Sequence, residues 1–345
     1  MSTLRMRWVR ITATIASFGL SVALIAFALP KVAGVSWESI GDQFSAVSGP
    51  MVLWLVALWL AGLWAYTYVL TGSLPGLTNT QALTMNAVGS AVSNLLPFGG
   101  AFGVAVTFAM AGTWGHRRRA IAISTVVSGV WNMLSRLALP AVGLAALMVS
   151  GHLPDERLTV AAGVAVGTLV VVLAVLVAVL VSDAASRRIS ALLERCARGL
   201  PKRWRPAPGR IGDALHKLRH DTVDLMRTAW LQLSVGMVVY MALQGVLFWW
   251  CLEATNAVVA FGPAVAAFAL GRLLTTAVIT PSGVGVSENG TVALLVAFGS
   301  APGPVAAAVL LFSFFTYAVE IPFGGLAWLA WLGSRRRAQV AAAQN

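Results

Sequence analysis

Long apolar runs alternate with basic connectors along this chain. Ile11–Leu29, Met51–Leu70, Ala120–Val149, Leu158–Val181, Thr228–Cys251 and Pro304–Leu332 each approach or exceed the roughly 20 residues a helix needs to cross a bilayer. Two further apolar stretches are interrupted. One runs from Thr80 to Trp114 and breaks at Asn94-Leu-Leu-Pro-Phe-Gly-Gly-Ala-Phe-Gly103. The other runs from Phe261 to Phe298 and breaks at Ile279-Thr-Pro-Ser-Gly-Val-Gly-Val-Ser-Glu-Asn-Gly290. Proline and clustered glycines end helices, so each stretch is expected to form two short helices around a tip. In lipid, broken backbone is tolerated only where protein buries it or it lines a wet cavity.

The two breaks are in register. Shifting the chain back by 184 residues puts Pro281 on Pro97, Gly283 on Gly99, Thr291 on Thr107 and Gly299 on Gly115. The same shift puts Glu320 on Arg136. Short, Gly/Pro-broken apolar segments in matching halves point to a transporter's binding site.

Basic clusters set the expected orientation, because Lys and Arg accumulate in cytoplasmic loops. They lie at Arg5, Arg7 and Arg10, at His116-Arg-Arg-Arg119, across Arg187–Arg219 and at Arg335-Arg-Arg337. Ala26-Phe-Ala28 resembles a signal cleavage site, but the apolar run before Pro30 is long for a signal, and an uncleaved first helix is expected. Residues 30–50 then read as an external, mixed-charge loop. The expected fold is an all-α polytopic membrane protein of two inverted-topology repeats, each with three spanning helices and a re-entrant helical hairpin. Residues 1–182 hold the first repeat, with its hairpin at about 80–115, and 183–228 form a basic cytoplasmic loop with amphipathic helical spacing in parts. Residues 229–337 hold the remainder of the second repeat, whose first span is 158–182 and whose hairpin is at about 261–300. Residues 338–345 are a cytoplasmic tail. Both termini are placed in the cytoplasm, and the cytoplasmic membrane is the expected location.

Composition agrees. The 345 residues are 58% hydrophobic and only 10% charged, against about 25% charged in soluble domains. The net charge of +12 would suggest nucleic acid in a soluble protein, but here topology explains it and no nucleic acid is expected. Two cysteines and four histidines show no ligand-like spacing, so no metal site and no cofactor are expected.

Four charged residues fall at membrane depth: Arg136, Arg272, Glu288 and Glu320. Each costs about 2.5–3.5 kcal/mol at a helix centre, so they are expected to face the interior and pair. Either they neutralise one another, or the arginines meet an anionic headgroup, which a guanidinium fork suits. Pro97, Gly99, Gly100, Gly103, Pro281, Gly283 and Gly285 are expected to open the backbone at the tips, so that the following helix N-termini offer free N–H groups to phosphate. Asn86, Asn94, Asn132, Gln244 and Asn289 add amides. Arg136 and Glu320, each 39 residues after its hairpin proline, are expected to lie close enough to pair directly or through a water or headgroup.

Pro281-Ser-Gly-Val-Gly-Val-Ser-Glu288 resembles the Pro-x-Gly-Gly-x-Gly-x-x-Glu element of the lysylphosphatidylglycerol synthase transmembrane-region family, which includes the flippase half of the multiple peptide resistance factor. Leu96-Pro-Phe-Gly-Gly-Ala-Phe-Gly103 looks like its first-half counterpart, and the resemblance spans about residues 10–335. It implies a lipid-translocating membrane module. The family's first copy carries an acid and then a base just past the glycines, whereas this chain has Val104 and Thr107. Without an aminoacyl-transferase domain, synthase activity is not expected. The expected function is a lipid flippase, not an enzyme, that moves an anionic phospholipid or lipid-linked intermediate. Its partners are then membrane lipids with anionic headgroups, and a homo-oligomer stays open. The alternatives are a membrane enzyme acting on a lipid headgroup and a non-transporting scaffold.

Overall fold

A computed structural model describes residues 19–96, 99–151, 160, 163–164, 167–168, 170–171, 174–175, 210–276 and 280–344. Every regular element among them is helical. Pro97, the 158–182 span as a whole and the basic stretch 183–209 lie outside the described residues.

Helix α1 (Gly19–Ala33) contains a π turn at Leu24–Ala28 and stops at Gly34, whose φ of 69° suits a residue without Cβ. It bends by 91° into α2 (Trp37–Ser45). The expected loop over 30–50 is therefore largely helical: Ser36 accepts from the Ser39 amide at 3.3 Å, and that N-cap turns a mixed-charge stretch into an amphipathic helix. Helix α3 (Gly49–Ser73) is a full-length apolar span. Next come two short helices, α4 (Asn79–Leu95) and α5 (Gly99–Thr113), packed on each other. Thr78 and Gln81 start α4 with a reciprocal capping box at 3.2 and 3.0 Å.

Helix α6 (Arg118–Val149) is the next long span and carries Pro140 inside it. Helix α7 (Arg210–Ala254) is continuous over 45 residues, so the end of the expected 183–228 loop is helical and joins the span without a break. A second short pair follows, α8 (Phe261–Leu274) and α9 (Val286–Ala297), joined through a 3₁₀ turn at Pro281–Gly283. The last span comprises α10 (Pro302–Ser313), a π turn at Phe314–Ala318 and α11 (Glu320–Gln344). Pro322 has no N–H to offer Ala318, and the Val319 amide reaches back five residues to the Phe314 carbonyl.

The packing is reciprocal. Helix α3 runs against α7, α6 runs against α8, and α11 runs against α4. Each short pair is thus clasped by a long helix from the other part of the chain. Small residues permit the approach: a methyl group on Gly143 would meet Ala266 Cα at 3.0 Å, and one on Gly324 would strike the Ala87 carbonyl. An aromatic and aliphatic core, including Phe248, Phe268 and Leu295, fills the second short pair's side. The first pair's side is different, and leaves a cavity.

Candidate functional site

Between α3, α4, α5, α6 and α7 lies a cavity of about 460 Å³, whose lining also includes Arg272, Thr275 and Ser282 of the second short pair. Its wall is rich in polar groups, and their spacing explains why. On α6, Ser124, Ser128, Asn132 and Arg136 recur every fourth residue and share one face. On α4, Asn86, Ser90 and Asn94 do the same. At about 1.5 Å per residue the α6 ladder is about 18 Å long, from near the basic 117–119 end to the middle of the span. Ser73 and Ser124 share a hydrogen bond of 2.7 Å near that end.

The charged end of the cavity is built from several elements. Arg136 Nε donates to Asn132 Oδ1 and its Nη1 to Thr275 Oγ1, both at 2.9 Å. Glu320 accepts from Asn94 Nδ2 at 3.3 Å. Asn94 Oδ1 in turn accepts from the Ser282 hydroxyl at 2.8 Å, and the Ser282 carbonyl accepts from Tyr317 at 3.2 Å. The end of α4 therefore touches the 3₁₀ turn of the second pair through Asn94 and Ser282. Ser282 holds φ 52°, a left-handed conformation that costs a non-glycine residue energy and gathers at functional sites. The π turn aims Thr316 and Tyr317 at this end.

Two cavity-lining groups are incompletely satisfied. Arg272 is 8% exposed, and its Nε has no hydrogen-bond partner. Gln244 is 2% exposed, and its Oε1 has none either.

The expected site residues divide. Arg136, Arg272, Glu320, Gly100 and Gly103 line the cavity. Gly99 is buried against the Ser93 backbone. Pro281 opens the 3₁₀ turn. Gly283 and Gly285 have φ of 75° and 88°, so their role is to make the turn. Glu288 does not face the cavity. It is 1% exposed, and its carboxylate accepts from the Gly285 amide at 2.6 Å, Ser287 at 2.9 Å and Ser313 at 2.6 Å. The N-terminus of α9, expected to offer a free amide to phosphate, is thus capped by its own carboxylate. Asn289 donates to the Leu24 carbonyl at 3.1 Å and the Gly285 carbonyl at 2.6 Å, which ties α9 to α1.

Arg136 and Glu320 do share one cavity, yet no direct ion pair joins any of the four charges among the described residues. Ser282, Thr275, Tyr66, Tyr240 and Tyr317 also line the cavity without having stood out in the sequence. The serines of α6 had a signal, their four-residue spacing in step with Arg136.

Fold and cavity define a multi-pass helical membrane protein with a charged, polar chamber among its spans. The chain belongs to the family of the lysylphosphatidylglycerol synthase transmembrane region, whose model matches residues 14–324. Curated proteins yield no match to the chain.

Proposed function

We propose that the protein moves a lipid with an anionic headgroup across the cytoplasmic membrane and does not change it covalently. The observation that carries this is Arg272, a buried guanidinium with an unpartnered Nε, in a cavity it shares with Arg136 and Glu320. A cation desolvated at membrane depth is costly unless something pairs with it. Arg272 lines the cavity, and a phosphate bound there would give its guanidinium an acceptor. The family supports a role connected with lipids.

In this reading the two halves are inverted repeats, each with a re-entrant pair, α4/α5 and α8/α9. The reciprocal clasping of α8 by α6 and of α4 by α11 supports it, since residues 118–149 shifted by 184 fall on the last span. Both termini are cytoplasmic, and the headgroup enters along the α6 ladder from the side marked by Arg117–Arg119. The tip layer of Asn94, Ser282, Tyr317 and Glu320 forms the barrier toward the other leaflet. Labelled phospholipids in proteoliposomes test this. Protein-dependent movement with the lipid recovered intact by mass spectrometry supports it, and recovery of a converted headgroup contradicts it.

A further inference from the structure

The proposed transport leaves open which anionic headgroups fit, and the cavity wall carries information on that point. Its charges are Arg136, Arg272 and Glu320, so the ionised wall holds one net positive charge. One phosphodiester balances it. A headgroup that also bears an ammonium would bring in a cation needing a carboxylate of its own. The carboxylate at hand, Glu320, is the one acid among the described lining residues, is outnumbered there by two arginines and already accepts from Asn94. Val104 and Thr107, on the α5 side, are uncharged.

The two unsatisfied groups are complementary in kind. Arg272 Nε is a charged donor in search of an acceptor, which a phosphate oxygen supplies. Gln244 Oε1 is a neutral acceptor in search of a donor, which a hydroxyl supplies without bringing charge. The remaining wall offers hydroxyls and amides, among them Ser90, Ser128, Asn86 and Tyr66. Such groups both donate and accept, as a polyol does, whereas a fixed ammonium only donates.

We infer that the cavity selects a phosphodiester whose remaining headgroup is uncharged and hydroxylated, such as a glycerol, inositol or sugar phosphate, and discriminates against aminoacylated or amine-bearing lipids. The phosphodiester docks on Arg272 with Arg136 behind it, and a headgroup hydroxyl donates to Gln244. This rests on the transport reading for its biological sense but is measured without transport.

The test is equilibrium binding to the full chain in neutral detergent, read by ligand-dependent thermal stabilisation. The probes are phosphatidylglycerol, phosphatidylinositol, phosphatidic acid, phosphatidylethanolamine, lysyl-phosphatidylglycerol and the soluble diester glycerophosphoglycerol. Wild-type protein is expected to bind phosphatidylglycerol or phosphatidylinositol about tenfold tighter than the two amine-bearing lipids, the order of effect expected of a hydrogen bond to a charged group. Gln244→Leu is expected to erase the preference for phosphatidylglycerol over phosphatidic acid while both still bind. Equal or tighter binding of lysyl-phosphatidylglycerol overturns the inference, and this arm needs no variant. A Gln244→Leu protein that keeps the full preference overturns the role of Gln244. Binding of glycerophosphoglycerol as tight as that of the lipid assigns the site to a soluble diester and contradicts its use for lipid. Selective binding without lipid movement would sink the transport reading alone; lipid movement with a preference for amine-bearing headgroups would sink the selectivity alone.

Discussion

The two short helix pairs begin from similar sequences and end in different employment. In α8/α9 the motif's acid, Glu288, is sealed inside the turn by Gly285, Ser287 and Ser313, and the exposed work passes to Arg272 on the first arm and Ser282 at the tip. In α4/α5 no acid follows the glycines: Gly100 and Val104 form open cavity wall, Gly103 is packed against α4, and Asn94 reaches across to Glu320 and Ser282. One pair is a stapled support that presents an arginine; the other is a lining. A carboxylate inside a Gly-rich motif at membrane depth is therefore not by itself a ligand-binding group. Its burial and its three donors decide, and here they make it structural.

Glu288→Ala attacks the staple and carries the largest expected effect. It leaves the buried Gly285 amide without its acceptor and removes the carboxylate that also ties Ser287 and Ser313, a loss of about 2–4 kcal/mol. Thermal unfolding of the purified protein should drop sharply or folded protein should be lost; an unchanged unfolding temperature would show that the turn holds without it. Gly283→Ala belongs beside it, because its φ is 75° and a Cβ would meet Thr275 Cα at 2.6 Å.

Arg272→Gln separates function from support. It removes a buried charge whose Nε is unpartnered, so the unfolding temperature should hold or rise while transport falls by about tenfold or more. A parallel loss of stability would make Arg272 part of the framework instead.

The lining pair gives the smallest and cleanest contrast. A methyl group on Gly103 would meet Ser93 Oγ at 2.5 Å and the Gly89 carbonyl at 2.9 Å, prying α4 from α5. Gly103→Ala should cost about 1–3 kcal/mol. Gly100 has open space around it, so Gly100→Ala should stay within about 0.5 kcal/mol. Unfolding curves for the two variants measure the difference, and equal effects would contradict the close approach at Gly103.

Much of this architecture was legible in the pattern of apolar runs. Their lengths, the breaks near residues 97 and 281 and the basic clusters give the membrane class and the two short pairs, because lipid forbids loosely broken backbone. The family that Pro281–Glu288 resembles is the one whose model matches residues 14–324. Direction within the site was not legible. The sequence offers a Glu three residues past a glycine but not which side of the turn it faces, and that depends on Ser313, 25 residues away. The α6 serines look like ordinary helix-packing residues one at a time, and only the shared face with Arg136 makes them a wall. Arg136 and Glu320, which the 184-residue offset pairs in sequence, line one cavity, yet each is hydrogen-bonded to an amide, Asn132 and Asn94, rather than to the other. Trp37–Ser45 escaped notice because its helix depends on a single serine cap rather than on apolar length.

In the proposed function the chamber around Arg272 carries an anionic headgroup across the bilayer. Proteoliposomes with fluorescent phosphatidylglycerol in both leaflets, quenched from outside, measure it directly. Quenching beyond the outer-leaflet fraction is expected with wild-type protein, and a rate about tenfold or more lower with equally folded Arg272→Gln. Quenching that stops at the outer leaflet with wild type, or an Arg272→Gln rate equal to wild type, would contradict it.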